Sequence, residues 1–168
     1  MFPNFFADAE ESFADANFII FGIPYEDKEM SFRKGTSSAP SHIRQASWNF
    51  ESYNILSKTD LQDIPIHDYG DININETPDL IEKIMQSNAV PIAMGGCHAI
   101  TPPLVSALSK KKEFGVVIMD AHLDFRKEYN TSSPGEKEYR VCVPGISPLS
   151  PLIREGKYFI RGESKGNK

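Results

Sequence analysis

The sequence predicts an α/β domain with a mainly parallel central sheet. Short apolar runs alternate with stretches at helical spacing, as right-handed strand–helix–strand units require. The apolar runs lack clean in-and-out alternation, as expected of strands covered on both faces. Each run stops at Gly, Pro or Asp, which ends a strand and opens a loop.

The elements follow in order. Residues 17–23 (NFIIFGI) read as a buried strand ended by Gly22 and Pro24. Residues 25–40 follow as a loop rich in Ser, Gly and charge. Residues 41–51 have helical character, with Ile43, Ala46 and Phe50 at helix-like spacing. Residues 63–68 alternate as a strand and lead to Tyr69-Gly70-Asp71. Thr77 is expected to cap a helix with Pro78 at its first position, running to about Gln86. Residues 89–94 (AVPIAM) read as a strand stopped by Gly95-Gly96. Residues 101–110 form the next helix, with Pro102 and Pro103 tolerated in the first turn. Residues 114–119 (FGVVIM) are the strongest strand signal, stopped by Asp120. Residues 130–135 and 144–151 read as loops, residues 157–161 as a last strand, and residues 162–168 as a polar tail.

The 168 residues fit one domain over 1–168. A chain stopping one strand after a crossover reads as incomplete at its C-terminal side. With 40% hydrophobic and 24% charged residues, a packed core is expected rather than disorder. The net charge of -5, without a long basic run, argues against a nucleic-acid partner. No apolar run approaches bilayer length, so no membrane partner is expected. The acidic start lacks the basic flank of a signal peptide. The two cysteines, Cys97 and Cys142, suggest no disulfide framework, and a cytoplasmic setting is the reading.

In an open parallel sheet, ligands bind outside the carboxyl ends of strands. Two predicted strand ends carry ligand chemistry: Gly95-Gly96-Cys97-His98 and Asp120-Ala121-His122-Leu123-Asp124. In an extended chain Asp120, His122 and Asp124 point the same way. Two carboxylates and an imidazole suit a divalent ion such as manganese. A solvated turn after a strand is the bland reading of the triplet, and its regular alternation argues against that. His98 alone would be weak, since a lone His after a strand is more often a hydrogen-bonded turn residue. The two glycines before it permit an unusual backbone path and close approach of a bound group. His42 and His67 lack such company and read as surface residues.

The order of these motifs resembles the ureohydrolases: agmatinase, arginase, formiminoglutamase and guanidinobutyrase-type enzymes. Upstream, Phe21-Gly22-Ile23-Pro24, Ser31-Phe32-Arg33-Lys34-Gly35 and Ala39-Pro40-Ser41-His42-Ile43-Arg44 are similar to the family's N-terminal signature. Asp68-Tyr69-Gly70-Asp71 resembles its next strand end. The Ser-Phe-Arg-x-Gly element looks most like the agmatinase branch. The resemblance implies a three-layer arginase-like fold, truncated on its C-terminal side, and a homo-oligomer. It also implies two Mn2+ ions, with His98 on one and His122 on the other. Asp120 would bridge the two, and Asp124 would complete the first site. The implied reaction is attack of hydroxide on the guanidinium carbon of agmatine, giving urea and putrescine.

Three departures from the family pattern stand out. Cys97 replaces the Asp of Gly-Gly-Asp-His, which is expected to weaken support for the ligand His or to bias the metal toward zinc. Arg140 lies where the family uses a His for proton transfer, and Arg cannot shuttle a proton. The later Asp-x-Asp ligands have no counterpart after Asp124. The expectation is a half-built site with poor or no activity of this chain alone. A non-catalytic remnant or subunit is the alternative. A metallophosphoesterase ranks last, because there Asp-x-His precedes Gly-Asp, whereas here Gly70-Asp71 comes first.

Overall fold

The first strand, β1 (Phe18–Ile23), is a run of β-branched and aromatic residues with its last five positions buried. It is the middle strand of a three-stranded sheet in a computed structural model describing residues 5–27, 34–110, 117–118 and 159–160. Within the chain, contacts divide into two compact units, Met1–Ile100 and Thr101–Lys168.

In the first unit, β1 is followed by a 3-10 turn (Thr36–Ser38) and helix α1 (Ala39–Ser47). A short antiparallel hairpin comes next, β2 (Tyr53–Asn54) with β3 (Thr59–Asp60). Strand β4 (Ile66–Asp71) leads through a 3-10 turn (Ile74–Glu76) into helix α2 (Thr77–Gln86), and β5 (Val90–Gly95) closes the unit's sheet. Its order is β4-β1-β5, and both pairings are parallel. The parallel sheet is therefore as expected. β1 to β4 steps one way and β4 to β5 steps back across β1. Right-handed crossovers then put α1 and α2 on opposite faces of the sheet. This explains why Ile19, Ile20, Phe21 and Ile23, which alternate in direction, are all buried. Ile20 packs with Ala9, Ile66 and Met94 under Phe6, Leu61 and Ile64.

Four local expectations change. The strand expected at residues 63–68 begins later, at Ile66, because Leu61–Asp63 forms a 3-10 turn capped by the Asp60 side chain. The spacing of Ile43, Ala46 and Phe50 does not mark the buried face of α1. Ile43 and Phe50 are exposed, and the helix instead buries Pro40, Arg44 and Ser47. Thr77 does not cap α2. It is the first helical residue, with Pro78 second, and capping falls to Asn73 and Glu76 in a capping box over the preceding 3-10 turn. The β2–β3 hairpin is an addition that residue pattern did not suggest, since two-residue strands are too short to show a period. Its turn is held by the Asn54 side chain, which accepts from the Leu56 and Ser57 N–H groups.

In the second unit, helix α3 (Thr101–Ser109) matches the helix expected from residue 101. Strands β6 (Val117–Ile118) and β7 (Phe159–Ile160) fall inside the strands expected at 114–119 and 157–161, and they pair in parallel. The expected loops at 130–135 and 144–151 lie outside the described residues.

Candidate functional site

Strands β1 and β5 run in register to their carboxyl ends, with Ile23 opposite Gly95. Beyond Gly95 the chain turns through Gly96 and Cys97 into a 3-10 turn (His98–Ile100). His98 stands at the start of that turn and is exposed. The two glycines serve packing rather than an unusual path, since neither has positive φ. A β-carbon at Gly95 would overlap the Ile100 side chain. One at Gly96 would lie 2.3 Å from the Tyr25 carbonyl oxygen and 2.8 Å from that of Thr36. The close approach expected at Gly96 is thus made by the protein's own loop.

That loop follows β1 and returns at Gly35. The Cys97 N–H donates to the Tyr25 carbonyl at 3.2 Å. The Asp27 N–H donates to Cys97 Sγ at 3.4 Å. The Cys97 thiol is thus tied to the backbone of the loop after β1. The carboxylate of Glu26 accepts from the Gly35 N–H at 2.7 Å, the Thr36 hydroxyl at 3.2 Å and the Ser37 N–H at 3.3 Å. The bond from Ser37 leads the causes that hold the Glu26 carboxyl below its ordinary value; burial opposes this shift, and the bonds from Gly35 and Thr36 reinforce it.

On the other side of β1, an open cleft of about 450 Å³ sits at the carboxyl ends of β1 and β4, lined by Ile23, Tyr25, Asp71 and Asn73 among others. Its wall rests on a buried charge network. Arg44 grips Asp68 with two bonds, Nε to Oδ2 at 2.6 Å and Nη2 to Oδ1 at 2.8 Å, and also donates to Asp71. The side chains of Arg44 and Asp68 are 3% and 0% exposed, so this pair is removed from water. Burial alone would lower the Arg44 pKa. The bonds and charges of Asp68 and Asp71 outweigh that and raise it. Asp68 and Asp71 are three residues apart and would face opposite ways in a regular strand. A bulge at Tyr69-Gly70, with Gly70 at φ +87°, resets the register so that Ile20 pairs with Asp68 and Gly22 with Asp71. Both carboxylates then reach one guanidinium.

Of the four expected ligands, His98 is at the predicted strand end. Asp120, His122 and Asp124 lie outside the described residues, as do Arg140, Cys142 and Ser31-Phe32-Arg33. Among the described residues, no group of three or more His, Cys, Asp or Glu side chains is arranged to hold a metal ion. His42 is exposed, as expected. His67 is half-buried, its Nδ1 2.7 Å from the Glu11 carbonyl oxygen and its ring edge-on to Phe13 and Tyr69. Residue pattern missed Glu26 and the Arg44 network. The signals were an acid opening the charged run Glu26-Asp27-Lys28-Glu29, and two acids on one strand with an Arg on the preceding helix. Among the described residues no helix is long and apolar enough to cross a membrane.

The arginase family profile matches residues 16–150. The N(1)-aminopropylagmatine ureohydrolase of Thermococcus kodakarensis is 36% identical over 89% of this chain and 53% of its own length. The crystal structure of agmatine ureohydrolase from Thermoplasma volcanium is 34% identical over 85% of this chain and 49% of that chain, with a TM-score of 0.69. Formiminoglutamase from Trypanosoma cruzi, solved with manganese, is 22% identical and shares the fold at a TM-score of 0.62, over 70% of this chain and 44% of that one. The chain spans about half the length of the curated relatives it matches. With an arginase-like α/β fold and a family match across most of its length, the chain belongs to the arginase family.

Proposed function

We propose that this chain is part of a manganese-dependent ureohydrolase of the agmatinase type, which hydrolyses the guanidino group of agmatine to urea and putrescine. The observation that supports this best is His98, exposed at the carboxyl end of β5 in a chain of the arginase family. Relatives named agmatinase and agmatine ureohydrolase favour agmatine as the substrate. The acidic chain, at net -5, suits a cationic ligand.

The donor chemistry fits the metal. His98, Asp120, His122 and Asp124 offer two imidazoles and two carboxylates, a nitrogen and oxygen set that suits manganese better than a thiophilic ion. Bound divalent ions supply Lewis acidity and a hydroxide nucleophile at neutral pH. The chain's own part is to present the donors. His98 is held by a turn pinned to the loop after β1, and Asp120, His122 and Asp124 would supply the remaining donors of this chain. Arg140 carries no transferable proton at neutral pH, so proton transfer rests on a group other than the one the family uses.

Manganese titration by calorimetry tests the reading on this chain and on the chain joined to a family C-terminal half. The chain alone should bind manganese weakly at best and release little or no urea from agmatine. The joined protein should bind tightly, and His98→Ala, His122→Ala or Asp124→Ala should abolish it. Tight binding indifferent to these substitutions would sink the ligand assignment. A second reading, a non-catalytic subunit, is favoured by Cys97 in place of the family Asp. A joined protein that holds manganese yet releases no urea would select it.

A further inference from the structure

We infer that Glu26 is a positioning residue for His98, acting by clamping the two limbs of the loop after β1 around the turn that carries this imidazole. The importance of His98 rests on the proposed metal site; the clamp itself rests on geometry. The outgoing limb, Tyr25 to Asp27, touches the turn twice. Tyr25 accepts the Cys97 N–H, and the Asp27 N–H donates to the Cys97 sulfur. The returning limb, Gly35 to Ser37, crowds the same glycine, with the Thr36 carbonyl 2.8 Å from where a β-carbon of Gly96 would stand and the Tyr25 carbonyl 2.3 Å from that point. Gly96 is therefore fitted closely against the backbone of both limbs.

Something has to hold the limbs together around that glycine. Among the described residues, neither the 3-10 turn nor α1 is capped by its own flanking side chain. One oxygen of Glu26 takes that place, accepting from Gly35, Thr36 and Ser37 at 2.7 Å to 3.3 Å. A carboxylate on the outgoing limb thus satisfies the orphan donors at the start of the returning limb. It also lies at the positive end of the helix that follows, where a negative charge is favoured. Gly35, at φ +103°, supplies the left-handed turn that points its N–H back at Glu26. The clamp, the glycine and the imidazole form one mechanical sequence: Glu26 to the Thr36 limb, that limb to Gly96, and Gly96 through Cys97 to His98.

The experiment uses the full, metal-free chain labelled with ¹⁵N. Glu26→Ala should make the Cys97 amide exchange several-fold faster, while amides of β1 and β4 keep their rates. The His98 imidazole resonances should broaden or split, and those of His42 and His67 should stay. Glu26→Gln, which keeps an acceptor oxygen without the charge, should restore part of both effects and serves if the alanine variant does not fold. A parallel rise in exchange across the sheet would show a general stabiliser and overturn the inference. So would unchanged Cys97 exchange and unchanged His98 signals. Because these readouts need no metal, a protein that never binds manganese would refute the proposed function and leave the clamp standing.

Discussion

Arg44 faces into the protein on a short helix, and its two carboxylate partners decide whether that is tolerable. A guanidinium with 3% exposure is costly unless each charge-bearing edge is met, and Asp68 and Asp71 meet it. Asp68 is further fixed by the Phe6 and Gly70 N–H groups, so the pair also anchors the N-terminal segment and the bulge. Replacing Arg44 with Met should therefore leave a buried, uncompensated carboxylate and cost about 3–5 kcal/mol in a urea unfolding series. Arg44→Met combined with Asp68→Asn should cost much less than the sum of the single changes, since the one carboxylate left, Asp71, is 38% exposed and reaches water. A cost below 1 kcal/mol for the single variant, on the order of a surface pair, would contradict the burial. Gly96 is the second residue where space decides. An added methyl would press on the Tyr25 and Thr36 carbonyls, backbone atoms that cannot swing aside. Gly96→Ala should cost about 1–3 kcal/mol by overpacking. It should also speed exchange of the Cys97 amide, and a neutral result in both measurements would refute the close fit.

At the scale of elements, the loop after β1 and helix α1 act as one piece through Glu26. The folded Glu26 carboxyl is held below its ordinary value, chiefly by the Ser37 N–H. A carboxyl depressed in the folded state stabilises that state fully above its unfolded pKa. The contribution is lost as pH falls through the folded pKa. Wild-type protein should thus be more stable than Glu26→Gln at neutral pH, and the gap should narrow in acid, below the ordinary carboxylate range. Chemical denaturation at neutral and acid pH measures this, and a gap that persists in acid would mean the charge is not the source. The elements also show where pattern reading succeeds and fails. β1 and β5 were legible because both are short apolar runs, the first stopped by Gly22 and Pro24 and the second by Gly95-Gly96. The buried face of α1 was not, because its core side is made by an Arg that pairs with carboxylates on β4 and a Ser that accepts from the Ala7 N–H of the N-terminal segment. Hydrophobic periodicity cannot see a polar core contact whose partner is over twenty residues away.

At the scale of the whole molecule, a sheet ordered β4-β1-β5 carries the candidate ligand His98 at one strand end and an open cleft at its neighbours' ends. The residues that depart from the family pattern then become quantitative tests. In the protein joined to a family C-terminal half, Cys97→Asp should tighten manganese binding, because a carboxylate supports a ligand His better than a thiol. Arg140→His should raise urea release from agmatine without a matching change in metal affinity. Calorimetry and a urea assay separate the two, and a Cys97→Asp variant that binds manganese no better would place the weakness elsewhere. The sequence by itself determined the parallel α/β class, the order of the strands and helices apart from the β2–β3 hairpin, the resemblance to the ureohydrolases and His98 at a strand end. These follow from local patterns: apolar runs, breakers and short motifs. Only the tertiary structure decided that Gly96 fits closely against loop carbonyls, that a bulge at Gly70 turns two carboxylates onto Arg44, and that Glu26 ties the loop across nine residues to Gly35. Each of those depends on atoms distant in sequence meeting within hydrogen-bond or van der Waals reach, which the folded path of the chain creates and the order of residues does not spell out.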